Sequence, residues 1–356
     1  MKRKGKVVNM KIVHILNTNS FSGAENVCIS ILKQLQNEKC YHTTYVSLNG
    51  PIKAIVEANG LEFYGINKMN TSSIKKMIKE LKPDLIHCHD FTVSILTSLS
   101  TRTIPIISHL HNNPSWIKTI NTKTILYSLT LKRYSYVLGV SQSIFDEFRF
   151  TSRIKKHKVI SNPINLEDIK SNMHEKKYDL IFVGRLTEQK DPLRFINLIP
   201  QLYDRFPNLN VVILGDGDLR KKCENFIHTK NLDNKVHLLG FKENRFDFIS
   251  ASKLMCITSK WEGFGLMAIE SLALGVPVLT TGVGGLKDIV TDKCGKICTY
   301  DNEFIEEAID LLINHDKYMQ KSEMALKRAK ELENIDSYMN VLKNIYIECT
   351  YKEKNI

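Results

Sequence analysis

Tyr178-Asp-Leu-Ile-Phe-Val-Gly184, followed at once by Arg185-Leu-Thr-Glu-Gln-Lys190-Asp191-Pro192, is the stretch of the 356-residue chain from which the fold can be read. A short apolar run that ends at a glycine reads as a strand. Asp191 and Pro192 then make a helix start, an N-cap followed by proline in the first helical position. The same alternation continues through LNVVILG (209–215), KVHLLGF (235–241), LMCITS (254–259) and VPVLTT (276–281). An earlier series precedes it: KIVHIL (11–16), TTYVSL (43–48), LEFYGI (61–66), DLIHCH (84–89), IPIISHLH (104–111) and YVLGV (136–140). Short apolar runs separated by helix-like stretches predict an α/β chain with two parallel, helix-covered sheets. The length suits two domains of about 150 residues each. The segment SNPINLEDIK (161–170) carries a proline and polar residues between the two series and is the expected linker. The expected domains are therefore 10–170 and 171–336, with a last helix near 337–356 that could return to the first domain.

Composition narrows the class. Hydrophobic residues at 43% and charged residues at 25% are those of an ordinary soluble globular protein, without low-complexity segments or internal repeats. No apolar run approaches the roughly 20 residues of a membrane-spanning helix, and MKRKGKVVN lacks the apolar core of a signal peptide. A cytoplasmic location is expected, with residues 1–9 as a flexible leader. The eight cysteines form no CxxC or paired framework, which predicts free, mostly buried thiols. The net charge of +12 is unevenly placed: residues 1–170 hold 24 Lys+Arg against 11 Asp+Glu, the remainder 26 against 27. Between Asp90 and Asp146 there is no acidic residue, while Arg102, Lys118, Lys123, Lys132 and Arg133 fall inside that stretch. Such a face attracts an anionic partner, or is merely a basic soluble surface.

Open parallel sheets bind ligands beyond the carboxyl ends of their strands, so motifs at those ends are the candidates. The most informative is Trp261-Glu-Gly-Phe-Gly-Leu-Met-Ala-Ile-Glu270-Ser-Leu-Ala-Leu-Gly275. Gly263 and Gly265 predict a tight turn, and the helix that follows should start near Leu266 and stop at Gly275. Free amides at such a start, aided by the helix dipole, suit a diphosphate. Glu262 and Glu270 can both face one ligand and accept from sugar or ribose hydroxyls; alternatively Glu262 is a cap and Glu270 is solvated. Arg185 and Lys190 flank one loop, where a guanidinium fork and an ammonium charge can neutralise a diphosphate without a metal ion.

Gly184-Arg185 with Lys190, and then Glu262 and Glu270 with seven residues between them, resembles family 4 of the retaining glycosyltransferases. Ser22-Gly23-Ala24-Glu25 is similar to that family's glycine loop, so the resemblance spans nearly the whole chain from Met10. It implies the GT-B architecture, two Rossmann-like domains whose parallel sheets face an interdomain cleft, the first taking the acceptor and the second the nucleotide-sugar donor. It implies that Arg185 and Lys190 hold the donor diphosphate, Glu270 the ribose and Glu262 the transferred sugar, with the amides of Phe264, Gly265 and Leu266 nearby. Gly23 would let backbone approach the donor phosphates or the acceptor, Lys242 beside Phe241 would approach the base, and His111 is similar to the family's active-site histidine. The implied activity is retaining transfer of a hexosyl group to a hydroxyl on a saccharide or lipid-linked acceptor, in cell-surface polysaccharide or glycolipid synthesis, with no cofactor and no metal.

The strand-borne pairs His87-x-His89 and His109-x-His111 each place two imidazoles on one face, a geometry zinc can use. No further ligand at suitable spacing completes either, so no metal is expected. Asp216-Gly-Asp218 reads as a turn after a strand. The stretch SWIKTINTKTILYSLTLKRYSY (115–136) alternates Trp116, Ile117, Ile120 and Leu126 with cations only, as in a helix lying on an anionic leaflet, or as in a helix packed on its sheet. A peripheral place on the inner membrane face is therefore a second expectation. Rival classes are a nucleotide-sugar epimerase on the same frame, a phosphorylase, whose cofactor lysine cannot be identified, and a nucleic-acid-binding protein. Against the last, aromatic residues are not interleaved with the cations, so nucleic acid is not an expected partner.

Overall fold

The structure is a computed structural model that describes residues 9–173 and 175–351, together with the backbone of 2–3 and 6–7. Residues 1, 4, 5 and 8 of the leader expected over 1–9 lie outside the described residues, and Lys2–Arg3 pairs antiparallel with Lys6–Val7 in a two-residue ladder. The chain forms two compact units, 1–163 with 334–356, and 164–333.

In the first unit the order is β1 (Met10–Ile15), α1 (Gly23–Gln36), β2 (Tyr41–Leu48), α2 (Ile52–Ala58), β3 (Glu62–Ile66), α3 (Thr71–Leu81), β4 (Leu85–Cys88), α4 (Phe91–Ser100), β5 (Ile106–Leu110), α5 (Thr122–Thr130), β6 (Tyr134–Gly139), α6 (Gln142–Glu147) and β7 (His157–Val159). The seven strands are all parallel, in the spatial order β3-β2-β1-β4-β5-β6-β7. The central strands are buried on both faces, Ile12, Val13, Leu85 and Ile86 among them, as helices on both sides require. The short edge strand β7 falls in the basic run after Arg149, whose composition carries no strand signal. A last helix, α14 (Ile335–Tyr351), belongs to this unit and packs on β4 and β6. Lys343 on that helix pairs with Glu38 at 2.6 Å, and the Tyr136 hydroxyl donates to Glu348 at 2.8 Å.

The second unit runs β8 (Tyr178–Val183), α7 (Pro192–Arg205), β9 (Val211–Leu214), α8 (Arg220–Thr229), β10 (Val236–Gly240), α9 (Arg245–Ser250), β11 (Ser252–Ile257), α10 (Leu266–Ala273), β12 (Val278–Thr280), α11 (Leu286–Ile289), β13 (Gly295–Ile297), α12 (Asp301–Ile313) and α13 (His315–Leu332). Its six strands are parallel, ordered β10-β9-β8-β11-β12-β13. One apolar layer, with Phe182, Phe195 and Phe304, covers one face of the sheet; another, with Met255, Ile269 and Leu286, covers the other.

Both sheets are thus doubly wound. The strand order reverses between β1 and β4 in the first and between β8 and β11 in the second. At such a switch point the two crossover connections leave toward opposite faces, which opens a crevice beyond the carboxyl ends of the two strands. The loops after β1, β4, β8 and β11 occupy those places.

Candidate functional site

In the second unit the loop after β8 is short and heavily tied. Lys190 N–H donates to Thr187 O at 3.2 Å, and Asp191, in the left-handed region at φ 48°, accepts from Arg194 N–H at 3.3 Å to start α7 at Pro192. The loop after β11 is stitched to it. Lys260 N–H donates to Gln189 O at 2.8 Å, Gln189 Nε2 to Trp261 O at 3.1 Å, and Thr258 Oγ1 to Asp191 O at 2.9 Å. The seam brings Lys190 Nζ into an ion pair with Glu262 Oε1, which also accepts from Ser259 Oγ at 3.0 Å. Glu262 is buried, and Arg185 at the head of the first loop is exposed.

Helix α10 begins one residue after Gly265, whose φ of 105° no branched side chain adopts easily. A Cβ at Gly265 would also lie 2.6 Å from Leu286 Cδ2. The turn is backed by a second glycine loop that the sequence reading passed over: a Cβ on Gly284 would stand 1.9 Å from the Glu262 carbonyl oxygen, so backbone lies directly on backbone. Ala268 N–H closes on Gly265 O at 3.0 Å, which leaves the amides of Leu266 and Met267 ahead of the first intrahelical bond. Glu262 does not cap this helix, whose N-cap is Gly265.

Glu270 lies in the second turn of α10 and is 4% exposed. Both of its oxygens are taken by one guanidinium: Arg245 Nε donates to Oε2 at 2.8 Å and Nη2 to Oε1 at 2.7 Å. Burial works to lower the Arg245 pKa, and the carboxylate more than offsets this, raising it above the ordinary value. Arg245 is the functional candidate that sequence reasoning missed. It opens α9 just beyond the carboxyl end of β10, the position that should have marked it. Lys242 and the exposed Phe241 lie in the same loop. Asp216 pairs with Arg220 at 3.2 Å and accepts from Gly217 N–H at 2.8 Å, so that motif is a turn leading to α8.

In the first unit Ser22 is the N-cap of α1 with φ −150° and ψ −168°, an extended backbone that needs no glycine, and Gly23 begins the helix. The buried Glu25 accepts from Ser22 Oγ and from Thr18 Oγ1, the latter at 2.7 Å. His111 follows β5. It does not stand alone: His14 from β1, His87 and His89 from the β4 edge and His109 from β5 lie beside it, an assembly that two separate His-x-His pairs in sequence did not reveal. Burial lowers the pKa of all five, to about 3 for His14, about 4 for His111 and well below 6.5 for the rest. Neighbouring Asp90 is pushed up to about 7, chiefly by burial and against the amide of Val93.

These shifts predict the acid limb of stability. Near pH 5 the unfolded chain carries five histidine protons that the folded chain lacks, while Asp90 holds one proton only when folded. The unfolded state therefore binds more protons, and stability falls as the pH drops below about 6.5. Unfolding near pH 5 is expected to take up about four protons from these groups. Calorimetric unfolding in buffers of different ionisation enthalpy measures the uptake, and a value near zero would refute the neutral cluster.

Helix α5 carries an exposed apolar face. Ile125, Leu126 and Leu129 are 43%, 45% and 69% exposed, and Ile120 and Leu99 lie at 63% and 60%. Lys118, Lys123 and Lys132 are exposed along the same stretch, while Ile117 and Tyr127 are buried. Part of the stretch expected to lie on a leaflet is therefore core, and the remainder is free apolar surface. Among the described residues no helix is long and apolar enough to cross a membrane.

Comparison with known proteins agrees with this layout. Residues 164–331 match the family model described as glycosyl transferases group 1, and residues 21–168 the one described as glycosyltransferase family 4. An uncharacterized glycosyltransferase of Methanocaldococcus jannaschii is 30% identical over 290 residues, 71% of each chain. A GalNAc-alpha-(1->4)-GalNAc-alpha-(1->3)-diNAcBac-PP-undecaprenol alpha-1,4-N-acetyl-D-galactosaminyltransferase of Campylobacter jejuni is 27% identical over 355 residues, 91% of this chain and 95% of that one. Among solved structures, Anabaena HepE in complex with UDP and glucose superposes with a TM-score of 0.85 at 18% identity, covering 96% of this chain and all of that one, a likeness of fold. The doubly wound pair of sheets, the two family matches and the 30% identical relative together place the chain among the group 1 glycosyl transferases: it is a glycosyltransferase.

Proposed function

We propose that the chain moves a sugar from a nucleotide-diphosphate donor to a hydroxyl of a lipid-linked saccharide, with retention at the anomeric carbon and without a metal ion. The observation that carries this reading is the seam in the second unit, where the loops after β8 and β11 bring Lys190, Glu262 and the Gly265 helix start together at the switch point. Arg185, Lys190 and the amides of Phe264, Gly265 and Leu266 take up the charge of the departing diphosphate. Glu270 accepts from the ribose, Glu262 from the transferred sugar, and Lys242 lies toward the base. Gly23 lets backbone approach the donor phosphates or the acceptor, and His111 lies near the sugar and the acceptor.

Transfer passes through an oxocarbenium-like state, so the departing diphosphate and the positive sugar both need stabilisation. Lys190 and Ser259 engage Glu262 Oε1, and transfer proceeds on the front face, as the family resemblance implies, the leaving phosphate oxygen helping to deprotonate the acceptor hydroxyl. The undecaprenol-linked acceptor for which the Campylobacter relative is named supports a lipid-linked substrate here. The apolar, cation-flanked face of α5 suits the leaflet that would present it.

Thermal-shift screening of a nucleotide-sugar panel tests the donor. The true donor at about 100 times its Kd stabilises the fold by about 2.7 kcal/mol. A panel in which no nucleotide sugar moves the transition rejects the reading. The anomeric configuration of the product decides retention. For the membrane, vesicles with anionic lipid should float the protein, and Leu126→Glu with Leu129→Glu should abolish flotation. Equal recovery of both proteins would remove α5 from the interaction.

A further inference from the structure

Two histidine pairs at i, i+2 spacing and a fifth histidine one strand away share a face because side chains alternate along a strand and the registers align. His14 lies level with His87, and Cys88 level with Ser108, which sets His89 beside His109. Ser108, the residue before His109, points to the opposite face, to Ser94 and Tyr127. Tyr346 of α14 closes the cluster from above.

The contacts form one unbroken line. His111 Nε2 lies 2.9 Å from His89 Nδ1, His89 Nε2 2.9 Å from His14 Nδ1, and His14 Nε2 3.3 Å from the Tyr346 hydroxyl. That hydroxyl lies 2.8 Å from His87 Nδ1, and His87 Nε2 3.1 Å from His109 Nδ1. The joined imidazoles have centroids 5.1–5.2 Å apart with interplanar angles of 14–29°, the spacing of rings meeting edge to edge in nearly one plane. Rings not joined lie one over another, His87 stacked on His89 at 4.3 Å and His109 over His111 at 4.2 Å with the planes tilted by 35°. The line therefore folds back at Tyr346 into two stacked rows. Nitrogens that point along the line between rings do not converge on a common centre, which is what a tetrahedral ion requires, although two groups of three histidines have ligand atoms within 4.8 Å of one another.

A neutral imidazole has one donor and one acceptor, and so has a phenol in such a line. Five links joining five imidazoles and one phenol can then all be made in only two ways, with every imidazole proton on Nδ1 or every one on Nε2. A mixed arrangement sets two donors or two lone pairs against each other in a buried place. The ends decide between the two. His109 Nε2 is buried without a hydrogen-bond partner, so a proton there would be an orphaned donor, rarer in proteins than an orphaned acceptor. At the other end His111 Nδ1 and Asn162 Oδ1 are also buried without a hydrogen-bond partner, and the Asn162 side chain works to raise the His111 pKa against burial, as an oxygen facing the ring does. The Nδ1 order gives that oxygen a donor.

We propose that His14, His87, His89, His109 and Tyr346 are positioning residues that act together as one tautomer lock on His111, holding it as an Nδ1–H donor with its Nε2 committed to His89. His111 then turns a donor toward Asn162 Oδ1, or toward a ligand oxygen in its place, and does not act as the base that takes the acceptor proton. To become a base, all five imidazoles and the phenol would have to shift their protons in concert. The inference rests on the reading of His111 as a residue of the transfer site, but the lock has a readout of its own.

Long-range proton–nitrogen NMR of the full chain labelled with nitrogen-15 histidine should show five neutral imidazoles, all protonated on Nδ1. Nε2 protonation or a mixture at His111 in the wild-type protein overturns the lock. So does a stoichiometric transition metal retained after purification with added zinc. Tyr346→Phe removes one donor and one acceptor and should leave His14 and His87 as mixtures. It should also lower kcat about tenfold with the donor KM little changed; unaltered tautomers in that variant also overturn the proposal. If Tyr346→Phe does not fold, the wild-type spectrum alone decides. Turnover unaffected by His111→Ala would remove the transfer-site reading of His111 and leave the spectral result standing.

Discussion

Arg245→Ala is expected to lower the unfolding free energy by about 3 kcal/mol, the lower end of the range for breaking a buried ion pair. Its guanidinium holds both oxygens of Glu270, whose carboxylate is 4% exposed. The loss comes less from the missing attraction than from the charge left behind at a largely buried position. The double variant Arg245→Met with Glu270→Met should recover most of it, because apolar replacement of both partners removes the stranded charge. Urea unfolding of the two single variants and the double measures the cycle. A loss below about 0.5 kcal/mol in Arg245→Ala would mean that the pair is open to water in solution. The same reasoning bears on activity: Glu270→Ala strands Arg245, so its lost turnover mixes folding with ribose binding. Glu270→Gln, which keeps the shape, is the variant to assay at temperatures where it is fully folded.

Arg185→Ala separates chemistry from stability. Arg185 is exposed, so its removal should change the unfolding free energy by no more than about 0.5 kcal/mol. Loss of a charge-stabilising donor from the leaving group should nonetheless cut turnover about 100-fold or more. Lys190→Ala should match that loss and also destabilise, because the buried Glu262 would keep only the Ser259 hydroxyl on its Oε1. Steady-state rates beside melting curves distinguish the two. Wild-type turnover in Arg185→Ala would break the diphosphate assignment, and a drop confined to the acceptor KM would move Arg185 to the other substrate.

Much of the fold was legible because its signals are local. Runs such as Tyr178–Val183 and Val211–Leu214 are apolar and short, and a proline after an aspartate starts α7 where the spacing puts it. The tight turn at Gly263 and Gly265 and the helix start at Leu266 follow from what glycine backbone tolerates. The edge strands His157–Val159 and Gly295–Ile297 were illegible, since three residues at a sheet edge bury little and need no apolar pattern.

The site divides along the same line. Chain order alone placed Arg185, Lys190, Glu262 and Glu270 beside strand ends, because a motif that directly follows a strand can only lie at its carboxyl end. The sequence by itself thus determined the class of fold, the two parallel sheets and which loops lie at their carboxyl edges. Only the tertiary structure decided which strands are neighbours, and with them which side chains meet: Lys190 with Glu262, Arg245 with Glu270, and five histidines with Tyr346 across a separation of more than 200 residues. Such partners are chosen by sheet order, by register and by the docking of the last helix, which depend on the packing of whole faces and leave no mark at any one position in the chain.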